Sequence, residues 1–249
     1  MLLIIGGCIN VNPDTPVVAI RDMNARLEAY VETVMWALDT KTFDRIVFCE
    51  NSNYNLDVTA IDDKAAKCGK KFEYLTFMGD TEKVKQLGKG YGEGQIIEYA
   101  LNNSELVKSY EGTHFCKITG RLTIENVDKL LPRGGKLSQA YFIDKTRVDE
   151  VDTRFYCCDI EFYKRVLLHC HERVNDSEGY YLEESFFDAL YGREKFHMFM
   201  QRPLFRGVSG TMGKTYEDKR SRFEFLFDFL CVTNLYNNRK FRKLFKKKH

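Results

Sequence analysis

The stretch HFCKITGR (114–121) closes an apolar run with a cation. An arginine just past a buried strand tip, here Arg121 after Thr119 and Gly120, offers a planar fork of N–H donors suited to phosphate or carboxylate. Pairing with a nearby acid is the plain alternative. A second cluster, Glu50-Asn51-Ser52 in CENSNY, brings carboxylate, amide and hydroxyl together, a set able to read a ribose or a base edge. An ordinary strand-to-loop turn uses the same residue types. GKGYGEG (88–94) places Lys89 between Gly88 and Gly90, so backbone amides there can approach an anion at a helix N-terminus, or the glycines serve only to turn the chain. It matches neither the Walker A pattern nor G-x-G-x-x-G directly after the first strand. Glu183 and Glu184 in YYLEESFF open a helix behind an aromatic run. One can act as a general base, although acids in a first helical turn also serve the dipole. DTRFYCCD adds Asp152, Arg154 and Asp159 around another strand.

These groups need elements to hold them. LLIIGGC reads as a first strand ending at Gly7 and Cys8, and Leu27, Tyr30, Val31, Val34, Met35 and Leu38 recur on one helical face. RIVFCENS and KFEYLTF read as further strands, followed by a helix around 95–106 and a strand at 114–118. Strands alternating with helices over short connections predict an α/β fold with a mainly parallel sheet, whose chemistry gathers beyond the carboxyl ends of the strands. Further on, AYFID and RFYCC read as strands, IEFYKRVLLHCHERV and LEESFFDALYG as helices, and RPLFRGVSGTMGKTY as a loop. In that loop Lys214 and Tyr216 stand beside three glycines, an arrangement that can close over a ligand or merely cover the surface.

A chain of 249 residues, 44% apolar and 14% aromatic, supports one globular domain, taken as 1–234. Its longest apolar stretch, 1–9, is too short to span a bilayer and lacks the marks of a signal peptide. The eight cysteines include no C-x-x-C pair and read as buried thiols in a reducing cytosol. Vicinal Cys157 and Cys158 face opposite sides of a strand. His169 and His171 are too close on a helix to form a metal pair. Seven of the 38 Lys and Arg but none of the 36 Asp and Glu fall in 235–249, so the body is mildly acidic, which argues against nucleic acid. Leu235, Phe241, Leu244 and Phe245 interleave with those cations, giving a basic amphipathic, helical tail suited to an anionic membrane surface or to open solvent.

The order of these motifs, from the first strand through CENS, GKGYGEG, FCKITGR and VDTRFY to YLEESFFDAL, resembles bacterial glycosyltransferases that build capsule, O-antigen and other cell-surface polysaccharides. It is similar in particular to the galactofuranosyltransferase domain of O-antigen polymerases, and the resemblance covers about 2–216. It implies a GT-A-like, Rossmann-like fold and a nucleotide-sugar donor, most commonly a UDP sugar, lying along Gly7, Cys8, Glu50, Asn51 and Ser52. Lys89, Lys117 and Arg121 then neutralise the diphosphate, beside Gly90, Thr119 and Gly120, with Asp152, Arg154, Lys214 and Tyr216 completing the donor site.

Such enzymes commonly hold a divalent metal with Asp-x-Asp, which this sequence lacks; Glu150-Val-Asp152 is its nearest substitute. The implied mechanism is metal-independent, with Mg or Mn as the alternative. The resemblance implies an inverting transfer to a glycan or lipid-linked acceptor, which needs one carboxylate base. Adjacent helical residues diverge by roughly 100°, and Glu184 is assigned to the cleft and Glu183 to the helix cap or an arginine partner. The implied location is the cytoplasmic face of the membrane. A non-catalytic carbohydrate- or lipid-binding module, or another nucleotide-dependent transferase, stands as the competing class.

Overall fold

The computed structural model describes residues 1–13, 15, 18–132, 136–144, 150–190, 197–208, 213 and 215–219. The tail at 235–249, Ser209 and Lys214 lie outside the described residues.

The first half alternates as expected: β1 (Leu2–Gly7), α1 (Met23–Asp39), β2 (Arg45–Glu50), α2 (Thr59–Lys67), β3 (Lys71–Thr76), α3 (Thr81–Leu87), α4 (Lys89–Asn103), α5 (Glu105–Lys108) and β4 (His114–Thr119). The second half contains β5 (Leu122–Ile124), β6 (Ala140–Asp144), β7 (Val151–Asp159), α6 (Ile160–Val166), α7 (Leu182–Leu190), β8 (His197–Met198), β9 (Phe205–Val208) and β10 (Thr215–Glu217).

Among the described residues the main sheet runs β3-β2-β1-β4-β7-β6-β8. Its first four strands are mutually parallel, while β7 is antiparallel to both β4 and β6. The carboxyl ends of β1, β2, β3 and β4 therefore share one edge with the start of β7, and residues far apart in sequence converge there. This is the mainly parallel α/β sheet flanked by helices that the alternation predicts. A smaller sheet, β10-β9-β5, hangs from that edge just after Arg121.

Period-two burial divides the core between the two faces of the sheet. Leu2, Ile4, Val47 and Phe115 pack under Ile96, Ile97 and Ala100 of α4 and Phe186 of α7. Leu3, Ile5, Ile46 and Phe48 pack under Tyr30, Val34 and Ala37 of α1. Cys158 belongs to the first cluster and Cys157 to the second, as alternation requires.

Three local expectations are corrected. The glycine-rich stretch is not a turn but the first turns of α4, which starts at Lys89 rather than near 95. Its glycines permit close packing: a Cβ at Gly94 would lie 2.1 Å from the His171 Cβ, and one at Gly90 would lie 3.1 Å from that of Leu182. The helix expected over 160–174 ends at Val166, and a 3-10 turn, Cys170–Arg173, follows it against α4. The expected loop at 202–216 contains β9 and β10, because Phe205 and Tyr216 find a partner in Arg154 that no local pattern announces.

Candidate functional site

At the end of β2, Glu50 is fully buried and acts as an anchor for the neighbouring loops. It accepts from the backbone N–H groups of Ser52 at 2.9 Å and Tyr54 at 2.8 Å, from the Ser52 hydroxyl at 2.5 Å, and from the Thr76 hydroxyl. The carboxylate expected to read a nucleoside is thus engaged in fixing the loop after β2. The Ser52 hydroxyl also accepts from the Asn10 N–H at 2.9 Å, tying the loop after β1 to the loop after β2. The Asn51 backbone is bonded to Gly7 and Gly79, while its side-chain Oδ1 is buried with no hydrogen-bond partner.

Beyond β1, the Cys8 N–H donates to the Tyr30 hydroxyl at 3.0 Å and its carbonyl accepts from Arg26 Nε at 2.8 Å. Arg26 also donates to the Ile20 carbonyl at 3.0 Å, so this buried arginine braces the loop between β1 and α1. Burial pushes the Cys8 thiol up to about 11, against the opposing influence of the Arg26 and Arg121 guanidiniums.

Arg121 is placed by three neighbours. Its own φ is +71°, in the left-handed region that non-glycine residues rarely occupy. Gly207 of β9 lies against it so closely that a Cβ there would sit 2.2 Å from the Arg121 carbonyl oxygen. Its guanidinium carbon lies 5.4 Å from the centre of the Tyr30 ring. Gly120 must be glycine beside that ring, since a Cβ would fall 2.4 Å from Tyr30 Cδ1. Arg121 Nε and Nη1 are buried, and among the described residues neither has a hydrogen-bond partner. Buried guanidinium N–H groups are costly to leave unsatisfied, and an anion is the chemistry that would satisfy them.

Lys89 also lies in the field of the Arg121 and Arg26 guanidiniums, and burial, the larger cause, lowers its ammonium. The N-terminus of α4 is already served: the Lys89 N–H donates to Asp176 Oδ2 at 2.9 Å. Burial raises the Asp176 carboxyl despite that bond, with smaller contributions from the Glu183 and Glu93 charges. The glycine run is thus a packing surface whose N-terminal anion comes from the protein itself.

Lys117, 0% exposed, points into the α4 face of the sheet. Its ammonium donates to Glu93, to the Thr119 hydroxyl at 2.9 Å and to the Thr153 carbonyl at 2.7 Å, with the Tyr156 ring centre 5.6 Å away. All three protons of this ammonium, expected to meet the diphosphate, already have acceptors within the protein. The Thr153 hydroxyl in turn donates to Glu183 Oε1 at 3.1 Å.

The acid pair on α7 is divided between the helix cap and β7. Glu184 Oε2 accepts the Tyr181 N–H at 3.0 Å, the helix-to-cap half of a capping box. Glu183 instead faces β7. Burial and the adjacent Glu150 carboxylate raise the Glu184 carboxyl.

Asp152 and Arg154 satisfy one another through bonds of 3.0 and 2.6 Å, and Arg154 is layered between the rings of Phe205 and Tyr216 at 4.2 and 4.9 Å. Asp152, Arg154 and Tyr216, expected at the donor site, join the small sheet to the main one. Among the described residues no group of three or more His, Cys, Asp or Glu is placed to hold a metal ion, and Asp152 is already neutralised by Arg154. No described helix is long and apolar enough to cross a membrane.

Arg121 and the acid pair stand out in the sequence, whereas Arg26, Glu93, Thr153 and Asp176 emerge only from the contacts described above. Arg26 and Tyr30, four apart on α1, carried the only local signal among these; the others act through contacts distant in sequence.

No protein-family model and no curated protein matches the chain. Its fold is similar to that of an inositol-1-phosphate CTP transferase from T. maritima at 11% identity and TM-score 0.47, over 99% of this chain and 96% of that one. The mannosyltransferase Ktr4p from S. cerevisiae aligns at 9% identity and TM-score 0.45, over 97% of this chain and 83% of its own. Mouse xyloside xylosyltransferase 1 aligns at 11% identity and TM-score 0.38, over 79% and 83%. Likenesses this distant assign neither activity nor substrate.

Proposed function

We propose that the chain is a glycosyltransferase that moves a sugar from a nucleoside-diphosphate donor, UDP-linked in the first instance, to a hydroxyl of a glycan or lipid-linked acceptor. The observation that carries this reading is the buried, unpartnered guanidinium edge of Arg121 at the end of a parallel strand. In an open α/β sheet that edge is where ligands bind, and a departing diphosphate is the anion whose growing charge such an edge stabilises.

In the proposed reaction the acceptor oxygen attacks the anomeric carbon, the bond from that carbon to the diphosphate oxygen breaks, and the acceptor proton passes to a carboxylate. Glu183 is assigned that proton, because its neighbour Glu184 is engaged at the helix cap. Lys89 adds positive charge beside Arg121, and Asn51 Oδ1 supplies an acceptor for an N–H or O–H of the nucleoside. The reading needs no metal, and Mg or Mn is tested directly. A basic tail at 235–249 would hold the protein at an anionic bilayer such as the inner face of a bacterial membrane, within capsule or O-antigen synthesis.

A thermal-shift screen against UDP, GDP, CMP and their sugars, each with EDTA and with Mn, tests the proposal. Stabilisation by one nucleoside diphosphate in EDTA is expected, with loss of the response in Arg121→Ala. Stabilisation only with Mn moves charge neutralisation to a bound cation, and no response to any nucleotide overturns the transferase reading. Glu183→Gln is expected to cut turnover about 10²–10⁴-fold while leaving the thermal shift intact. Full turnover in that variant removes Glu183 from the base role.

A further inference from the structure

We infer that Tyr30 is the positioning residue of the anion edge: its ring seats the Arg121 guanidinium by the face and leaves the N–H donors of that guanidinium unspent, while its hydroxyl holds Arg26 alongside. The inference rests on the proposed function only in calling a diphosphate the partner of those donors.

A carboxylate that fixes an arginine consumes the same fork of N–H groups that a phosphate would take. Arg121 has no such partner among the described residues, and its Nε and Nη1 are buried without an acceptor. What lies against it is an aromatic face, with the guanidinium carbon 5.4 Å from the centre of the Tyr30 ring. A ring attracts a cation through its quadrupole and spends none of the cation's hydrogen bonds, so the guanidinium is held and its edge stays open.

The ring itself is fixed on every side. Tyr30 is 2% exposed and packs on Phe48, with ring centres 5.5 Å apart. A Cβ at Gly7 would lie 3.1 Å from its Cε1, so the end of β1 closes on it as Gly120 does from β4. Its hydroxyl accepts from the Cys8 N–H at 3.0 Å and from Arg26 Nη2 at 3.1 Å, a contact that the four-residue spacing on α1 provides. The remaining acceptors of Arg26 are the Cys8 and Ile20 carbonyls, so among the described residues no carboxylate neutralises it either. Two guanidiniums that share one tyrosine and lack an acid repel one another, which favours a ligand with more than one negative charge between them.

The rival account is that the Arg121 backbone alone aims the side chain, through its positive φ and the contact with Gly207. ¹⁵N relaxation of the Arg121 Nε–H in the full chain separates the two, with the resonance assigned by its loss in Arg121→Lys. An order parameter near the rigid value of about 0.85 is expected in the parent and in Tyr30→Phe, which keeps the ring, and one below about 0.6 in Tyr30→Leu, which deletes it. A mobile Nε–H in the parent overturns the inference without any variant, and an equally rigid one in folded Tyr30→Leu overturns it as well.

Titration calorimetry with inorganic pyrophosphate adds the binding readout. Tyr30→Leu and Arg121→Ala are each expected to weaken it by about tenfold or more, and the double variant no further than Arg121→Ala alone. Additive losses overturn the inference. The relaxation experiment requires no ligand, so an Nε–H that loosens in Tyr30→Leu, in a protein that binds neither pyrophosphate nor nucleotide, leaves the positioning role standing and removes the transferase reading. Nucleotide binding beside an Nε–H indifferent to Tyr30 does the reverse.

Discussion

Asp176 accepts the backbone N–H of Lys89 at 2.9 Å, so the first turn of α4 receives its negative partner from a 3-10 turn 87 residues further along the chain. A phosphate at that helix end would have to displace a carboxylate. Asp176→Ala is accordingly expected to leave nucleoside-diphosphate affinity within about twofold while lowering stability by about 0.5–2 kcal/mol, the range for a lost N-terminal helix partner. Isothermal titration and urea unfolding measure the two effects, and a large change in affinity would place the phosphate at α4 after all.

Arg121 carries the opposite expectation. Its buried Nε and Nη1 have no partner to lose among the described residues, so Arg121→Ala costs little stability from broken bonds and removes the proposed diphosphate contact. Hydrogen bonds to charged groups are worth about 1.5–3 kcal/mol, which is about 10–150-fold in dissociation constant. Titration calorimetry with UDP, or with whichever nucleotide stabilises the protein, reads this loss beside an unchanged melting temperature.

The pair formed by Lys117 and Glu93 is asymmetric. The Lys117 side chain is 1% exposed and that of Glu93 is 29% exposed, so the carboxylate left alone reaches water and the ammonium does not. Glu93→Gln should therefore destabilise by about 3 kcal/mol or more, and Lys117→Met by clearly less. Chemical unfolding of both variants and of the double variant checks the order, and the double variant should recover most of the Glu93→Gln loss.

The raised carboxyl of Glu184 links stability to pH. A carboxyl that titrates higher in the folded chain contributes stability below its unfolded value of about 4.3, and that contribution is lost as pH rises through the folded value. Glutamine at this position keeps an acceptor for the Tyr181 N–H and removes the repulsion from Glu150. Glu184→Gln should thus melt about 1–2 °C above the parent at pH 7, with the gap closing toward pH 4. Differential scanning calorimetry across that interval would refute it by showing a constant gap.

The alternation of strands and helices in the first half was legible because burial on both faces of a parallel sheet imposes apolar runs such as LLII and IVFC, each closed by polar loops. The strand tip before Arg121 was legible for the same reason. Glycine was the main source of error. In GKGYGEG it signals close packing on His171 and Leu182, but sequence alone does not distinguish small residues needed by a neighbour from those needed by a turn. The acid pair on α7 stands out in the sequence, but which of the two caps the helix does not, since both lie in its first turn. Only the approach of β7, 30 positions upstream for Thr153, decides that Glu183 turns inward.

A side chain at position 207 would strike the Arg121 carbonyl oxygen, so β9 can seat beside β5 only through glycine, and the small sheet is joined to the backbone of the proposed anion site. Arg154, clasped between Phe205 and Tyr216, latches that small sheet to the main sheet. Loosening the latch at a distance would slacken the grip of Arg121 without touching a single group that meets the ligand.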